Sequence, residues 1–231
     1  MNNYEVRLFD VDQTRLKNIM NDLSYIDGWY SIETNGLETV LTICASEGFT
    51  QKDLSEVLSC FKHNLISSDG TTLFELLASY LDVFHKSLIV FDQGTLGYFS
   101  SQVLLALENK NLFKQAYVTS NLDEIQKMFD FSGEDISLLS FATDKSVYKI
   151  TERILEKSVS DFTIVSLTNF NKPTSTEYKL FQPKGKSVVL INDDSHTDIQ
   201  SLQINASSHE IAIEVAQHIA WKLINKLKFG K

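Results

Sequence analysis

The sequence predicts an α/β protein: a layered α/β/α domain with helices on both faces of its sheet, preceded by a small α+β domain. Three observations carry this expectation. From residue 72 onward, helical and strand patterns alternate along the chain. Leu88-Ile89-Val90-Phe91 is apolar without a break, the pattern of a strand buried on both faces. Before residue 69 the elements are short and include a hairpin, and they end at the turn-rich Ser67-Ser68-Asp69-Gly70. The expected domains are therefore residues 1–68 and 69–231.

In the first domain, residues 4–10 read as a strand, and 12–23 as a helix with Leu16, Ile19, Met20 and Leu23 on one face. Residues 28–33 and 38–45 alternate as strands around Asn35-Gly36, where both residues tolerate positive φ. Thr50 and Asp53 form a capping-box pattern before a helix over 51–62, and 64–66 adds a last short strand.

The second domain opens with a helix over 72–84, followed by the strand 88–91. Asp92-Gln93-Gly94-Thr95-Leu96-Gly97 then breaks the strand, and helical spacing resumes over 98–107. A loop at the carboxyl end of a buried strand, opening a helix, is where α/β proteins place ligands. Further strands are expected at 115–120, 161–167, 187–191 and 201–205, and helices at 123–129 and 143–159. The second of these helices should bury Val147, Ile150, Ile154 and Leu155. A polar loop over 169–186 holds both prolines, Pro173 and Pro183. Ser207 and Glu210 make a capping box for a final helix with the stripe Ile211, Val215, Ile219, Leu223 and Leu227. Its Lys222, Lys226 and Lys228 lie near the negative helix end.

Composition sets outer limits. A net charge of −9 over 231 residues argues against a nucleic-acid binder. No apolar run reaches membrane-spanning length and the start lacks a basic segment before an apolar core, so a cytoplasmic location is expected. Cys44 and Cys60 have no zinc-ligand spacing and are expected to be buried, reduced thiols.

The order and spacing of these elements resembles the CinA (competence-damage-inducible) family, from about Tyr4 to the C-terminus. Residues 4–68 look like that family's middle domain, and 69–231 like its C-terminal domain. The resemblance implies an amidohydrolase that, in active members, removes the amide of nicotinamide mononucleotide. Active members carry A-E-S-C-T-G-G with a serine nucleophile. Here Phe91-Asp92-Gln93-Gly94-Thr95-Leu96-Gly97 keeps an acid, Thr95 and Gly97, but puts Gln93 at the nucleophile. The family's V-A-Y-S-N-E-A-K falls on 118–125, with Ser120 at the tyrosine and Ile125 at the lysine. T-G-x-A-G-P meets Ser166-Leu167-Thr168-Asn169-Phe170-Asn171, without its glycines. F-x-G-D-R-E-E-I meets 204–211, without its arginine.

Loss at all four places leads to the reading of a CinA-like protein without a working amidohydrolase centre, kept as a binding or interaction module. The alternative is an active amidase with a rearranged set, Tyr117, Lys127 and Thr95. Ligand-binding candidates are Asp92, Gln93, Gly94, Thr95 and Gly97; the turn 94–97 could cradle a phosphate, with Asp92 opposing it. The resemblance also implies a homo-oligomer and a small nucleotide-like ligand. No cofactor or metal is expected: His209 and His218 face opposite sides of one helix, His63 and His85 read as loop or helix-end residues, and Asp193-Asp194 with Asp198 reads as a solvated turn. Ser100 and Ser101 sit in a helix with no paired base in view.

Overall fold

The structure, a computed structural model, describes residues 3–22, 30–44, 50–119, 122–132, 142–170, 184–193 and 196–230. Packing divides the chain into two compact units, Met1–Leu77 and Ala78–Lys231.

The first unit holds β1 (Asn3–Phe9), α1 (Gln13–Asp22), β2 (Tyr30–Asn35), β3 (Glu38–Cys44), α2 (Gln51–Cys60) and β4 (Leu65–Ser67). Its antiparallel sheet has the order β2-β3-β1-β4. Period-two alternation turns Val6, Leu8, Leu41 and Ile43 inward against Leu16 and Met20 of α1 and Leu54 and Val57 of α2. The hairpin pairs Asn35 with Glu38, so its two-residue loop is Gly36-Leu37. Gly36 alone takes positive φ there, +61°; Asn35, expected to share it, is the last strand residue. The Thr50–Asp53 capping box forms as expected. Leu23 and the expected strand positions 28, 29 and 45 lie outside the described residues.

The second unit takes in the end of α3 (Leu73–Phe84), then β5 (Leu88–Asp92), α4 (Tyr98–Ala106), β6 (Phe113–Tyr117), α5 (Leu122–Phe129), α6 (Asp144–Lys157), β7 (Phe162–Phe170), β8 (Lys184–Asp193), β9 (Thr197–Asn205) and α7 (Ser208–Phe229). The sheet order is β6-β5-β7-β8-β9, parallel through β6, β5 and β7 and antiparallel beyond. Ile89, Phe91, Val165, Leu167, Val188 and Leu190 face α5 and α6, packing on Ile125, Phe129, Val147, Ile150 and Ile154. The alternate positions, among them Val90, Ile164 and Val189, are also buried and face the side of α4 and α7. Helices thus cover both faces, as expected.

Several details differ from the expectation. β6 begins two residues early, at Phe113, because its pairing with Leu88 starts there. β7 runs on to Phe170 and β8 begins at Lys184, since an antiparallel ladder continues to Phe170↔Gly185 and takes both ends of the expected loop. Residues 171–183, with Pro173 and Pro183, lie outside the described residues. Leu155 is 44% exposed rather than inward; Thr151 takes the buried position on α6. Cys44 is half-buried and Cys60 exposed, both free, because Cys60 lies off the Leu54–Val57 face of α2.

Candidate functional site

Strand parity decides what meets at the carboxyl end of β5. Ile89 and Phe91 point to α5 and α6, so Asp92 points to the α4 side. The same parity places Ser166 and Thr168 of β7 and Ser187 of β8 on that side. All four are buried. The first turn of α4 completes the cluster.

Asp92 is fully buried and its carboxyl group is satisfied by neutral donors. Oδ2 accepts from the Ser100 amide (3.0 Å) and the Ser100 hydroxyl (2.7 Å). Oδ1 accepts from the Thr95 hydroxyl and, at 3.4 Å, from the Ser166 hydroxyl. Ser100, read from the sequence as a helix residue with no paired base in view, donates to Asp92, eight residues back, which the turn brings to it. Ser101 instead donates to the Tyr98 carbonyl.

Gln93, at the position of the nucleophile in the resemblance, lies flat on β7. Its Oε1 accepts the Thr168 amide at 2.8 Å and its Nε2 donates to the Thr168 carbonyl at 3.3 Å. Gly94 donates its amide to the Ser166 carbonyl at 2.8 Å. A Cβ at Gly94 would come within 3.0 Å of the Ser166 main chain, so the close approach needs glycine. The Thr168 hydroxyl donates to the Gly94 carbonyl (2.9 Å) and shares a hydrogen bond with Ser187 (2.7 Å). Leu96, at φ +53°, leaves its side chain 55% exposed, and Gly97, at φ +81°, opens α4.

The donors an anion would use at a helix start are already engaged. The Tyr98 amide meets the Thr95 carbonyl (2.9 Å), Phe99 the Thr95 hydroxyl (3.0 Å), and Ser100 meets Asp92. Within the turn, Gly94 and Leu96 donate to Ser166 and Gln93.

The other motif positions are dispersed. Ser120 lies outside the described residues, as do Asn121, Asn171 and Asp194. Ile125 is buried in the sheet-facing core, and Lys127, two residues on, is exposed, because two positions turn an α-helix to its other side. Tyr117 ends β6 and packs on Phe129, with ring centroids 5.1 Å apart. Thr95 is fully buried on Asp92. The T-G-x-A-G-P position is plain strand through Phe170.

In the last motif, Ser207 and Glu210 form the expected capping box, with the Ser207 amide donating to Glu210 at 2.7 Å. The Ser207 hydroxyl and amide hold the Glu210 carboxyl below its usual range. His209 is exposed, while His218 is half-buried and bonded to Gln200. His63 and His85 are exposed in turns. Asp193 pairs with Lys226 at 2.8 Å and Asp198 lies 4.0 Å from Lys222, so α7 lysines partner the acidic loop. No group of three or more His, Cys, Asp or Glu able to hold a metal occurs among the described residues. No helix among them is long and apolar enough to cross a membrane.

No family model matches the chain. It is similar to proteins of Streptococcus pneumoniae strains CGSP14 and TIGR4 named competence-damage inducible, at 21% identity over 96% of this chain. It spans about half the length of these curated relatives, 56%. Among solved structures, a CinA superfamily protein from Klebsiella pneumoniae has a TM-score of 0.56 at 17% identity, covering 68% of this chain and 96% of that one. One from Enterobacter cloacae has a TM-score of 0.55 at 17% identity, covering 70% and 96%. These structures show a shared fold. Likeness in sequence along nearly the whole chain to proteins named competence-damage inducible, and a fold shared with CinA superfamily structures, support an assignment to the CinA (competence-damage-inducible) family.

Proposed function

We propose that this chain is a CinA-like protein whose amidohydrolase centre has given way to internal bonding, and that it acts as a ligand-sensing or interaction module. The supporting observation is Gln93. A carboxamide has no hydroxyl or thiol with which to form an acyl-enzyme, and this one spends both of its polar atoms on the Thr168 main chain. The alternative set Tyr117, Lys127 and Thr95 has less support, since Lys127 is on the exposed side of α5 and Thr95 is buried on Asp92. Ammonia release from nicotinamide mononucleotide by the Gln93→Ser protein tests the reading. None is expected, because a serine hydroxyl is inert without a base in reach; turnover in that variant would reveal such a base.

Self-association in a cytoplasmic setting belongs to the same proposal. Val83 and Phe84 of α3 and Leu104 and Leu105 of α4 are exposed, at 68%, 47%, 43% and 77%. The two helix ends are held together by Asp82, which accepts the Glu108 and Asn109 amides. Sedimentation at micromolar concentration should show a dimer or larger species; a compact monomer contradicts this.

A further inference from the structure

The Gln93–Thr168 contact has a chemistry of its own. β5 pairs with β7 only as far as Asp92↔Ser166, whereas β7 continues to Phe170 against β8. Past the end of β5, β7 therefore presents a bare edge toward the turn. Ser166 and Thr168 direct their main-chain groups to that edge, and the Ser166 carbonyl is taken by Gly94. In an extended residue the N–H and C=O point the same way. A single group that bonds both must carry a donor and an acceptor side by side. A primary carboxamide does so; a trans peptide unit, whose N–H and C=O point apart, does not.

Thr168 is also held from directions that do not involve Gln93. Its strand is paired with β8 at Ser187, and its hydroxyl bonds Ser187 and the Gly94 carbonyl. The notch would thus keep its shape if the side chain left. Gln93 is itself half-buried, with a way to solvent.

We propose that Gln93 is a latch: it is the intramolecular occupant of a two-point notch on the Thr168 main chain, it holds the 93–97 turn onto β7, and it exchanges with external primary carboxamides. The proposal deepens the ligand-sensing reading above and rests on it for the absence of acyl chemistry at residue 93. Failure of that reading appears as ammonia release, and failure of this one as an unaltered Thr168 amide.

Hydrogen exchange of the Thr168 amide in the full chain, followed by NMR, is the test. In Gln93→Ala the exchange should quicken about tenfold, as for one net hydrogen bond, with Val165 unchanged. Excess acetamide should restore protection, and N,N-dimethylacetamide, which has no N–H, should not. Gln93→Glu gives an independent reading: the neutral acid keeps donor and acceptor, and the ionised form keeps only acceptors. Thr168 protection in that variant should be high at acid pH and fall as the new carboxyl ionises, because the oxygen then facing the Thr168 carbonyl repels it and opens the two-point contact. Exchange that responds to neither variant, or equal rescue by the two amides, overturns the latch.

Discussion

The Asp92 carboxyl group reaches across the turn to the third residue of α4, where it accepts both the amide of Ser100 at 3.0 Å and its hydroxyl at 2.7 Å. One buried side chain thus finishes β5 and caps the helix that follows. Removing it strands the Ser100 amide together with the hydroxyls of Thr95 and Ser166. Asp92→Ala should cost about 2–3 kcal/mol by urea denaturation, since donors left buried without a partner carry the full desolvation penalty. Ser100→Ala, which removes one donor and leaves the cap, should cost about 1 kcal/mol. Equal losses in the two variants would contradict the capping role.

The amino ends of β5 and β7 are joined by a different acid. Burial raises the Asp161 carboxyl, but the Lys86 ammonium at 2.8 Å and the amide and hydroxyl of Ser87 outweigh it and hold the group at about 2. That value lies below the ordinary range of about 3.9 for an unfolded chain. The contribution to stability is therefore present in full above roughly pH 4–5 and is lost as pH falls through about 2. With 29% of the side chain exposed, solvent screening reduces it to about 1 kcal/mol. Asp161→Asn should lose that amount at pH 6, and the difference from the unsubstituted protein should shrink toward pH 3. A difference independent of pH would assign the effect to packing.

A nucleotide pocket needs free donors for a phosphate, and the amides of Gly94, Leu96, Tyr98, Phe99 and Ser100 have internal acceptors. Millimolar nicotinamide mononucleotide should therefore leave the melting temperature unchanged. A site with Kd a hundredfold below the ligand concentration would add about 2.7 kcal/mol, a rise of roughly 5–10 °C for a chain of this size. A rise that large, abolished by a bulky substitution at Gly97, would mean that the turn binds anions after all.

Local chemistry made much of the architecture legible. The Thr50–Asp53 and Ser207–Glu210 capping boxes signal their helices within four residues, and the apolar run at Leu88 marks a strand buried on both faces. Legibility failed where partners are distant in sequence. The ends of β7 and β8 are set by a ladder between Phe170 and Gly185, which no local pattern announces. The same holds for the site. Gln93 was visible as a departure from the family motif, but Thr168 lies 75 residues away and Ser166 is 74 residues from Asp92. Ser100 was within reach: a buried acid ending a strand, with a serine in the first turn of the next helix, is a capping pattern across a turn.

The most direct test of the proposed loss of the amidohydrolase centre is ammonia release from nicotinamide mononucleotide by the purified, unsubstituted protein. With the Gln93 carboxamide bound to Thr168 and Ile125 buried where the resemblance asks for a lysine, no release above the uncatalysed background is expected. Sustained multiple turnover, abolished by Tyr117→Phe or Lys127→Ala, would contradict it and establish the rearranged site.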